Sequence, residues 1–102
     1  MDAVYPRLLA LARGRPIVVF EFGVTSGNPL GDQAAWADSA IAGLTSFYWP
    51  RVTGFSWWNE RWENDQGADT DMRVQDNPGL AEAFRRLVGN NPDVHGRLSY
   101  PR

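Results

Sequence analysis

A single carboxylate interrupts the most apolar run of the chain. Residues 16–23 read Pro-Ile-Val-Val-Phe-Glu-Phe-Gly, so Glu21 follows five apolar residues in a row. An ionised carboxylate in an apolar run is costly unless it is paired, hydrogen-bonded or placed where the strand ends. In α/β proteins the chemistry is found at the ends of the strands. Glu21 is therefore the first candidate for a chemical role.

A second group of candidates lies at residues 57–62. It contains aromatic and polar side chains, namely Trp57, Trp58, Asn59, Glu60 and Trp62. Aromatic faces stack on the apolar C–H face of a pyranose ring, and amides and carboxylates hydrogen-bond its hydroxyl groups. A carboxylate at the floor of such a site can attack or stabilise an oxocarbenium-like centre. Together the two groups favour a site for sugar.

Two predicted strands and the helix between them bring these residues together. Residues 17–22 are rich in β-branched side chains and lie between a proline and a glycine, which predicts a strand buried on both faces. Residues 52–58 predict a second strand, and residues 32–47 predict a helix with Asp32 as its N-cap. A β-α-β crossover has this size, so the strands are expected to be parallel neighbours. Glu21 and residues 57–60 then lie at one edge.

Two further helices, a loop and a tail complete the predicted organisation. Residues 3–13 and 77–88 have apolar side chains at helical spacing, and Asn77 is the expected N-cap of the second of these helices. The expected apolar stripe of the middle helix consists of Trp36, Ala40, Ile41, Leu44, Phe47 and Tyr48. Residues 59–75 predict a long polar loop. Residues 1–90 are expected to form one α/β unit, followed by a surface tail at residues 91–102.

Composition excludes several kinds of function. The chain has 102 residues with 12 acidic and 10 basic side chains, and every basic residue is arginine. The arginines are scattered, so no nucleic-acid partner is expected. The absence of lysine and cysteine excludes Schiff-base chemistry, lysine phosphate loops, disulfides and thiolate sites. No segment predicts a signal peptide or a membrane span, which leaves the compartment open.

Residues 15–59 resemble the last part of glycoside hydrolase family 26. The resemblance rests on the segment RPIVVFEFG at residues 15–23, on Trp36, and on the segment WPRVTGFSWWN at residues 49–59. It extends over roughly residues 15–88. This family belongs to a clan of retaining (β/α)8-barrel glycosidases that includes β-mannanases and endo-glucanases. The implied fold is a partial TIM barrel, with parallel strands that correspond to the seventh and eighth strands.

The resemblance also implies roles for individual residues. Glu21 matches the nucleophile at the end of the seventh strand, and Trp57 matches the tryptophan that lines the subsite of the cleaved sugar. The chain supplies about two of the eight β-α units of a barrel and lacks the fourth strand, which carries the general acid/base. Glu60 follows the eighth strand and is not cast as that acid. The expected protein is a C-terminal fragment of an O-glycosyl hydrolase that cleaves β-glycosidic bonds in polysaccharides such as mannan or glucan. That reaction needs no metal or organic cofactor.

Each candidate residue has a structural alternative. Glu21 can be a strand-end carboxylate bonded to backbone amides or to Arg51. Trp57 and Trp58 point to opposite faces of their strand, so one of them belongs to the core. Trp57 is favoured for the sugar, with Trp58 packed among the helices.

The loop residues are open to similar alternatives. Asn59 and Glu60 can simply face water, whereas Trp62 can extend the sugar platform. The acidic residues at 63–71 lack the order of a calcium loop, so no metal site is expected. Asp71 can pair with Arg73 to fix the loop, and His95 is expected at the surface.

The chief rival to the enzyme is a non-catalytic carbohydrate-binding or structural remnant of such a barrel. Two parallel strands leave unpaired edges, and a quarter of a barrel leaves apolar surface uncovered. Association with other chains can cover those edges. A pyrophosphate-binding unit is disfavoured because the loop after the first strand lacks the order Gly-x-Gly-x-x-Gly.

Overall fold

A computed structural model describes residues 1–95, and residues 96–102 lie outside the described part. The fold is mixed α/β with a two-stranded parallel sheet. Its elements in chain order are α1 Tyr5–Ala12, β1 Ile17–Phe22, α2 Gln33–Thr45, β2 Val52–Trp57, β3 Arg61–Glu63, β4 Asp69–Asp71, a 3-10 turn Val74–Asp76, α3 Pro78–Phe84 and a π turn Arg85–Gly89. The predicted order of helix, strand, helix, strand and helix is confirmed.

Strands β1 and β2 are parallel neighbours, as the β-α-β spacing predicts. The Ile17 amide donates to the Arg51 carbonyl at 2.8 Å where the strands begin, and the Trp58 amide donates to the Phe22 carbonyl at 2.9 Å where they end. The register shifts twice between these points, once in each strand. The two strands therefore begin at the same level and finish at the same level.

One face of β1 is open, so the prediction of a strand buried on both faces is wrong for the described chain. Val18 is 46% exposed and Phe20 is 77% exposed. Ile17 and Val19, which alternate with them, are half-buried. Helix α2 covers one face of the sheet only, because a parallel pair with one crossover helix has nothing to place on the other.

Helix α2 begins at the predicted cap and buries a narrower face than predicted. The Asp32 carboxylate accepts a hydrogen bond from the Ala35 amide at 2.7 Å. The buried positions are Gln33, Ala37 and Ile41, which recur every four residues. The predicted stripe is wrong at its margins, where Trp36, Phe47 and Tyr48 are exposed.

The small core lies between α2 and α3. Ala37, Ile41 and Leu80 are fully buried there and form one cluster, and Ala83 of α3 is also buried. Asn77 is the N-cap of α3, as predicted, and its side-chain oxygen accepts from the Gly79 and Leu80 amides. The contact between the two helices holds the crossover against the segment that follows the sheet.

Residues 59–75 contain a β-hairpin, which corrects the prediction of an irregular loop. Strands β3 and β4 pair antiparallel, with Trp62 opposite Thr70. The Asn64 side chain accepts from the Gln66 and Ala68 amides in the connecting turn, and Gly67 adopts φ +73°. Strands of three mostly charged residues carry no apolar period, so the sequence pattern did not indicate them.

The predicted tail at residues 91–102 is described only as far as His95, which is exposed. The rest of that prediction lies outside the described residues, and the boundary at residue 90 stays a prediction. Within residues 1–95, the helices are too short and too polar to cross a membrane.

Truncation of the core residue Leu80 to alanine should destabilise the chain strongly. Leu80 is fully buried against Ile41 and Ala37, so Leu80→Ala removes apolar contacts and leaves a cavity. We expect a loss of about 2–5 kcal/mol in the free energy of unfolding, measured by urea denaturation. Leu11, which is 79% exposed, provides the matched control. Equal losses in Leu80→Ala and Leu11→Ala would contradict the described core.

Candidate functional site

Glu21 is the second-last residue of β1, at the end of the sheet where both parallel strands finish. Glu21 is exposed, and within residues 1–95 its side chain makes no hydrogen bond or ion pair. Arg51 lies where the strands begin, so the alternative pairing of Glu21 with Arg51 is not formed. Two cavities, of about 370 and 460 Å³, are lined by other residues. The carboxylate is therefore free to meet a ligand from solvent.

An irregularity in β1 sets the direction of Glu21. Val19 pairs with Phe55 and Phe22 pairs with Trp57, so β1 has two residues where β2 has only Ser56. Such a bulge breaks the alternation of side chains and re-aims the extra residue. Bulges are frequent beside active sites for this reason. The sequence pattern of residues 17–22 did not indicate this bulge.

Trp57 belongs to a cluster of aromatic rings. Its ring centroid lies 5.3 Å from that of Phe22, 6.3 Å from that of Trp36 and 5.4 Å from that of Phe84. Its indole nitrogen donates to the Met72 carbonyl at 2.6 Å. The structure therefore packs Trp57 and leaves Trp58 39% exposed, the reverse of the favoured arrangement. The sugar-contacting role of Trp57 stays a prediction.

Exposed Trp58 and half-buried Trp62 form an aromatic pair. Their ring centroids are 5.6 Å apart with an angle of 35° between the planes. The Trp58 indole nitrogen donates to a Glu60 carboxylate oxygen at 3.0 Å, which fixes the orientation of the ring. The hairpin brings Trp62 to this position, because β3 turns back after the end of β2. The structure thus brings Trp58, Glu60 and Trp62 together.

Asn59 is exposed and joins the end of β2 to the 3-10 turn that follows the hairpin. Its side-chain oxygen accepts from the Val74 amide at 2.6 Å, and its side-chain nitrogen donates to Gln75 at 3.3 Å. Both ends of the amide are already used. The role of Asn59 as a ligand for sugar hydroxyls is untested, whereas its positioning role is visible.

Gln33 is a residue that the sequence reasoning missed. Its side chain is 3% exposed, and its nitrogen donates to the Val24 carbonyl at 2.7 Å and to the Asp71 carbonyl at 3.0 Å. Its oxygen accepts from the Asn77 side chain at 2.9 Å. The available signal was a glutamine four residues before Ala37, on the face of α2 that becomes buried. Gln33 ties the loop after β1 to the hairpin and to α3.

Charged pairs hold the hairpin in place. Arg61 donates two hydrogen bonds to the Asp69 carboxylate, at 2.9 and 2.7 Å. Asp71 pairs with Arg73 at 3.3 Å, as the sequence alternative proposed, and Arg73 also pairs with Asp76. The pKa of Asp71 lies below its usual value because the Arg73 amide donates to the carboxylate. The pKa of Asp69 is lowered by the hydrogen bond from Arg61.

The arrangement at this edge suits a neutral, hydroxyl-rich ligand. A free carboxylate from β1 lies at the same end of the sheet as the indole pair, of which Trp58 is exposed and Trp62 half-buried, and a second carboxylate, that of Glu60. Indoles bind apolar ring faces, and carboxylates accept from hydroxyl groups. Within residues 1–95, no three His, Asp, Glu or Cys side chains gather as a set of metal ligands.

Comparisons of the chain with protein-family models, with curated proteins and with solved structures found no match.

The ion pairs of the hairpin should make stability depend on pH in the acid range. Asp69 and Asp71 have lowered pKa values in the folded chain, so their contribution is complete above the unfolded pKa and is lost as pH falls through the folded pKa. We expect the free energy of unfolding to fall below about pH 4. Urea denaturation near pH 6 and near pH 3 measures this loss.

The variant Asp71→Asn should flatten that pH dependence, because the amide cannot titrate. Asp65→Asn is the control, since within residues 1–95 Asp65 makes no ion pair. An unchanged acid loss in Asp71→Asn would show that other groups cause it.

Proposed function

We propose that this chain is the C-terminal part of a retaining glycoside hydrolase barrel of the family 26 type. Its two parallel strands correspond to the seventh and eighth strands of a (β/α)8 barrel, and Glu21 is the nucleophile. The substrate is a polysaccharide or oligosaccharide with β-glycosidic bonds, of mannan or glucan type. The proposal rests on the resemblance of residues 15–59 and on the geometry of the sheet edge.

One observation carries the proposal. Glu21 is exposed and free of partners among residues 1–95, at the end of the sheet where exposed Trp58 pairs with half-buried Trp62. Retaining glycosidases place a nucleophilic carboxylate where a sugar ring is bound by such side chains. The parallel pairing of β1 with β2 supports the proposal because it puts both groups at one edge.

The open face of the sheet also supports a barrel. Val18 and Phe20 are exposed on the face opposite α2, and Gly54 lies beside Val18 on that face without a side chain. In a (β/α)8 barrel the helices cover the outer face, and the inner face is filled by side chains of the other strands. Apolar residues on an uncovered face are what a portion of such a barrel would present.

The proposed chemistry assigns one of the two required carboxyl groups. The Glu21 carboxylate attacks the anomeric carbon and forms a glycosyl ester, while the bond from that carbon to the leaving oxygen breaks. The leaving oxygen needs a proton from a general acid. Glu60 accepts from the Trp58 indole and follows β2, so it is not that acid. The acid belongs to a strand that corresponds to the fourth of the barrel.

Glu21 should form a covalent adduct with a substrate that needs no general acid. A 2,4-dinitrophenyl 2-deoxy-2-fluoro-β-glycoside loses a stable phenolate without protonation, and the fluorine slows hydrolysis of the glycosyl ester. We expect mass spectrometry of the digested chain to find one fluoroglycosyl group on the peptide that contains Glu21. The manno and gluco reagents are both tested.

The matched variants are Glu21→Gln, which should abolish labelling, and Glu63→Gln, which should retain it. Glu63 is exposed on β3 and provides a control for nonspecific esterification. Absence of adduct, or equal adduct on both glutamates, would remove Glu21 from the role of nucleophile.

A carbohydrate-binding remnant without catalysis is the second candidate. The Trp58–Trp62 pair favours it, because the exposed indole of Trp58 offers a face to a sugar whether or not Glu21 reacts. The third reading, a structural remnant, predicts neither binding nor labelling.

Removal of one exposed indole should weaken glycan binding. Stacking on an aromatic ring contributes about 0.5–1.5 kcal/mol, so Trp58→Ala should raise the Kd of a β-mannan or β-glucan oligosaccharide about two- to tenfold. Isothermal titration calorimetry measures the Kd, and NMR of the indole N–H groups locates the site. Tyr48→Ala is the control because Tyr48 is an exposed aromatic on another segment. Binding lost equally in both variants would exclude a platform at Trp58.

Glu21→Ala separates the two candidates. If the chain is a non-catalytic binding module, Glu21→Ala should keep the affinity for glycan, and the wild-type chain should not be labelled by the fluoroglycoside. The hydrolase shows labelling in the wild-type chain and loses it in Glu21→Gln.

A further inference from the structure

The corner between β2 and β3 is anchored at each of its three residues, Trp58, Asn59 and Glu60. The Trp58 amide donates to the Phe22 carbonyl at 2.9 Å, and the Glu60 carbonyl accepts from the Met72 amide at 2.9 Å. Between them, the Asn59 side chain is bonded to the 3-10 turn after the hairpin. All of these partners belong to the described chain, so a site on this corner is preorganised by the chain itself.

The carboxylate of Glu60 lies at the edge of the Trp58 ring. The indole N–H, which points outward in the plane of the ring, donates to Oε2 of Glu60 at 3.0 Å. Among residues 1–95 the other oxygen, Oε1, accepts no hydrogen bond, and the carboxylate forms no ion pair. The face of the ring therefore stays open beside a carboxylate that has one oxygen to spare.

The nearby arginines do not neutralise that carboxylate. Arg61, the next residue in the chain, donates two hydrogen bonds to the Asp69 carboxylate. Arg73, the other basic residue of the hairpin and the turn after it, is paired with Asp71 and Asp76. A negatively charged ligand at this corner would meet repulsion without a free cation of the hairpin to offset it.

Trp62 restricts a ligand to one side of the Trp58 ring. The centroids of the two rings are 5.6 Å apart. A sugar between them would need about 7–8 Å, which is twice the usual contact distance. A sugar therefore stacks on the side of Trp58 that faces solvent. Substituents at the rim of that sugar project past the edge of the indole, where the Glu60 carboxylate lies.

We propose that Glu60 makes this platform specific for uncharged sugars. Its Oε2 orients the Trp58 indole, and its Oε1 accepts a hydrogen bond from a hydroxyl group of the stacked sugar. A hydroxymethyl group at C6 of that sugar can donate to Oε1, whereas the carboxylate of a uronic acid at the same position is repelled. The ligand class is thus a β-glucan or β-mannan without uronic acids.

This inference rests on the sugar binding at Trp58 that the proposed function includes, and it does not require the reaction of Glu21. Labelling of Glu21 by the fluoroglycoside tests the hydrolase. The preference between neutral and charged sugars tests Glu60. The two proposals therefore fail by different results.

Two matched pairs of oligosaccharides of equal length provide the test. One pair is a β-1,4-glucan and a β-1,4-glucuronan, and the other is a β-1,4-mannan and a β-1,4-mannuronan, so the members of each pair differ only at C6. Isothermal titration calorimetry measures each Kd at low ionic strength. We expect a neutral member to bind at least about fivefold more tightly than its uronate. In about 1 M salt the preference should shrink, because the Debye length falls to about 3 Å.

The decisive variant is Glu60→Gln, which removes the charge and keeps an oxygen that accepts from the indole N–H. We expect it to reduce the preference for the neutral sugar at least about threefold and to leave the NMR signal of the Trp58 indole N–H in place. Glu60→Ala removes the acceptor as well and should shift that signal, which is assigned with Trp58→Ala. Glu63→Gln is the matched control, because Glu63 is exposed on β3 and its side chain alternates in direction with that of Trp62.

Four results would overturn the inference. The first is a uronate that binds as tightly as its neutral partner, and the second is the absence of binding by all four oligosaccharides. The third is a preference that survives Glu60→Gln, or that falls more in Glu63→Gln or Glu21→Gln. The fourth is an indole signal of Trp58 that Glu60→Ala leaves unchanged, since Glu60 would then not orient the ring. A preference that depends on Glu60 supports the inference even if Glu21 is not labelled.

Discussion

The buried amide of Gln33 is the constraint on which the candidate site depends. It joins three segments that are distant in the chain: the loop after β1, the end of β4 and the cap of α3. A buried amide without partners is costly, so each of these segments is held where its hydrogen bond requires. The core between α2 and α3 is small, and the hydrogen bonds of Gln33 supply the geometric specificity that a few apolar contacts do not.

The aromatic cluster transmits that constraint to the sheet edge. Trp57 packs on Phe22, Trp36 and Phe84, and its indole is anchored to the Met72 carbonyl next to β4. The end of β2 is thereby fixed on one face, and the following residue, Trp58, is turned to the other. Trp57 packs in the aromatic cluster and holds the end of β2 in place, whereas Trp58 exposes its indole ring to solvent.

The sequence predicted those features that local chemistry determines. Asp32 and Asn77 are caps because short polar side chains satisfy the first amides of a helix, and the parallel pairing follows from the length of the crossover. It did not predict the features that depend on distant partners. Three such features are the burial of Gln33, the hairpin with its charged strands and the exposure of Phe20. Each depends on tertiary neighbours that the hydrophobic periodicity of the sequence does not identify. Which of Trp57 and Trp58 is packed was undetermined because alternation specifies opposite faces without saying which is covered.

The two irregularities of the parallel pair compensate each other. Thr53 is the extra residue of β2 near the start of the sheet, and β1 has its extra residue at Phe20–Glu21 near the end. Five steps along either strand cover the same distance, which keeps both ends level although the middle is out of phase. The direction of the Glu21 side chain therefore depends on the number of residues in the two strands between their paired positions. A one-residue deletion in β1 would therefore turn the carboxylate toward the other face of the sheet.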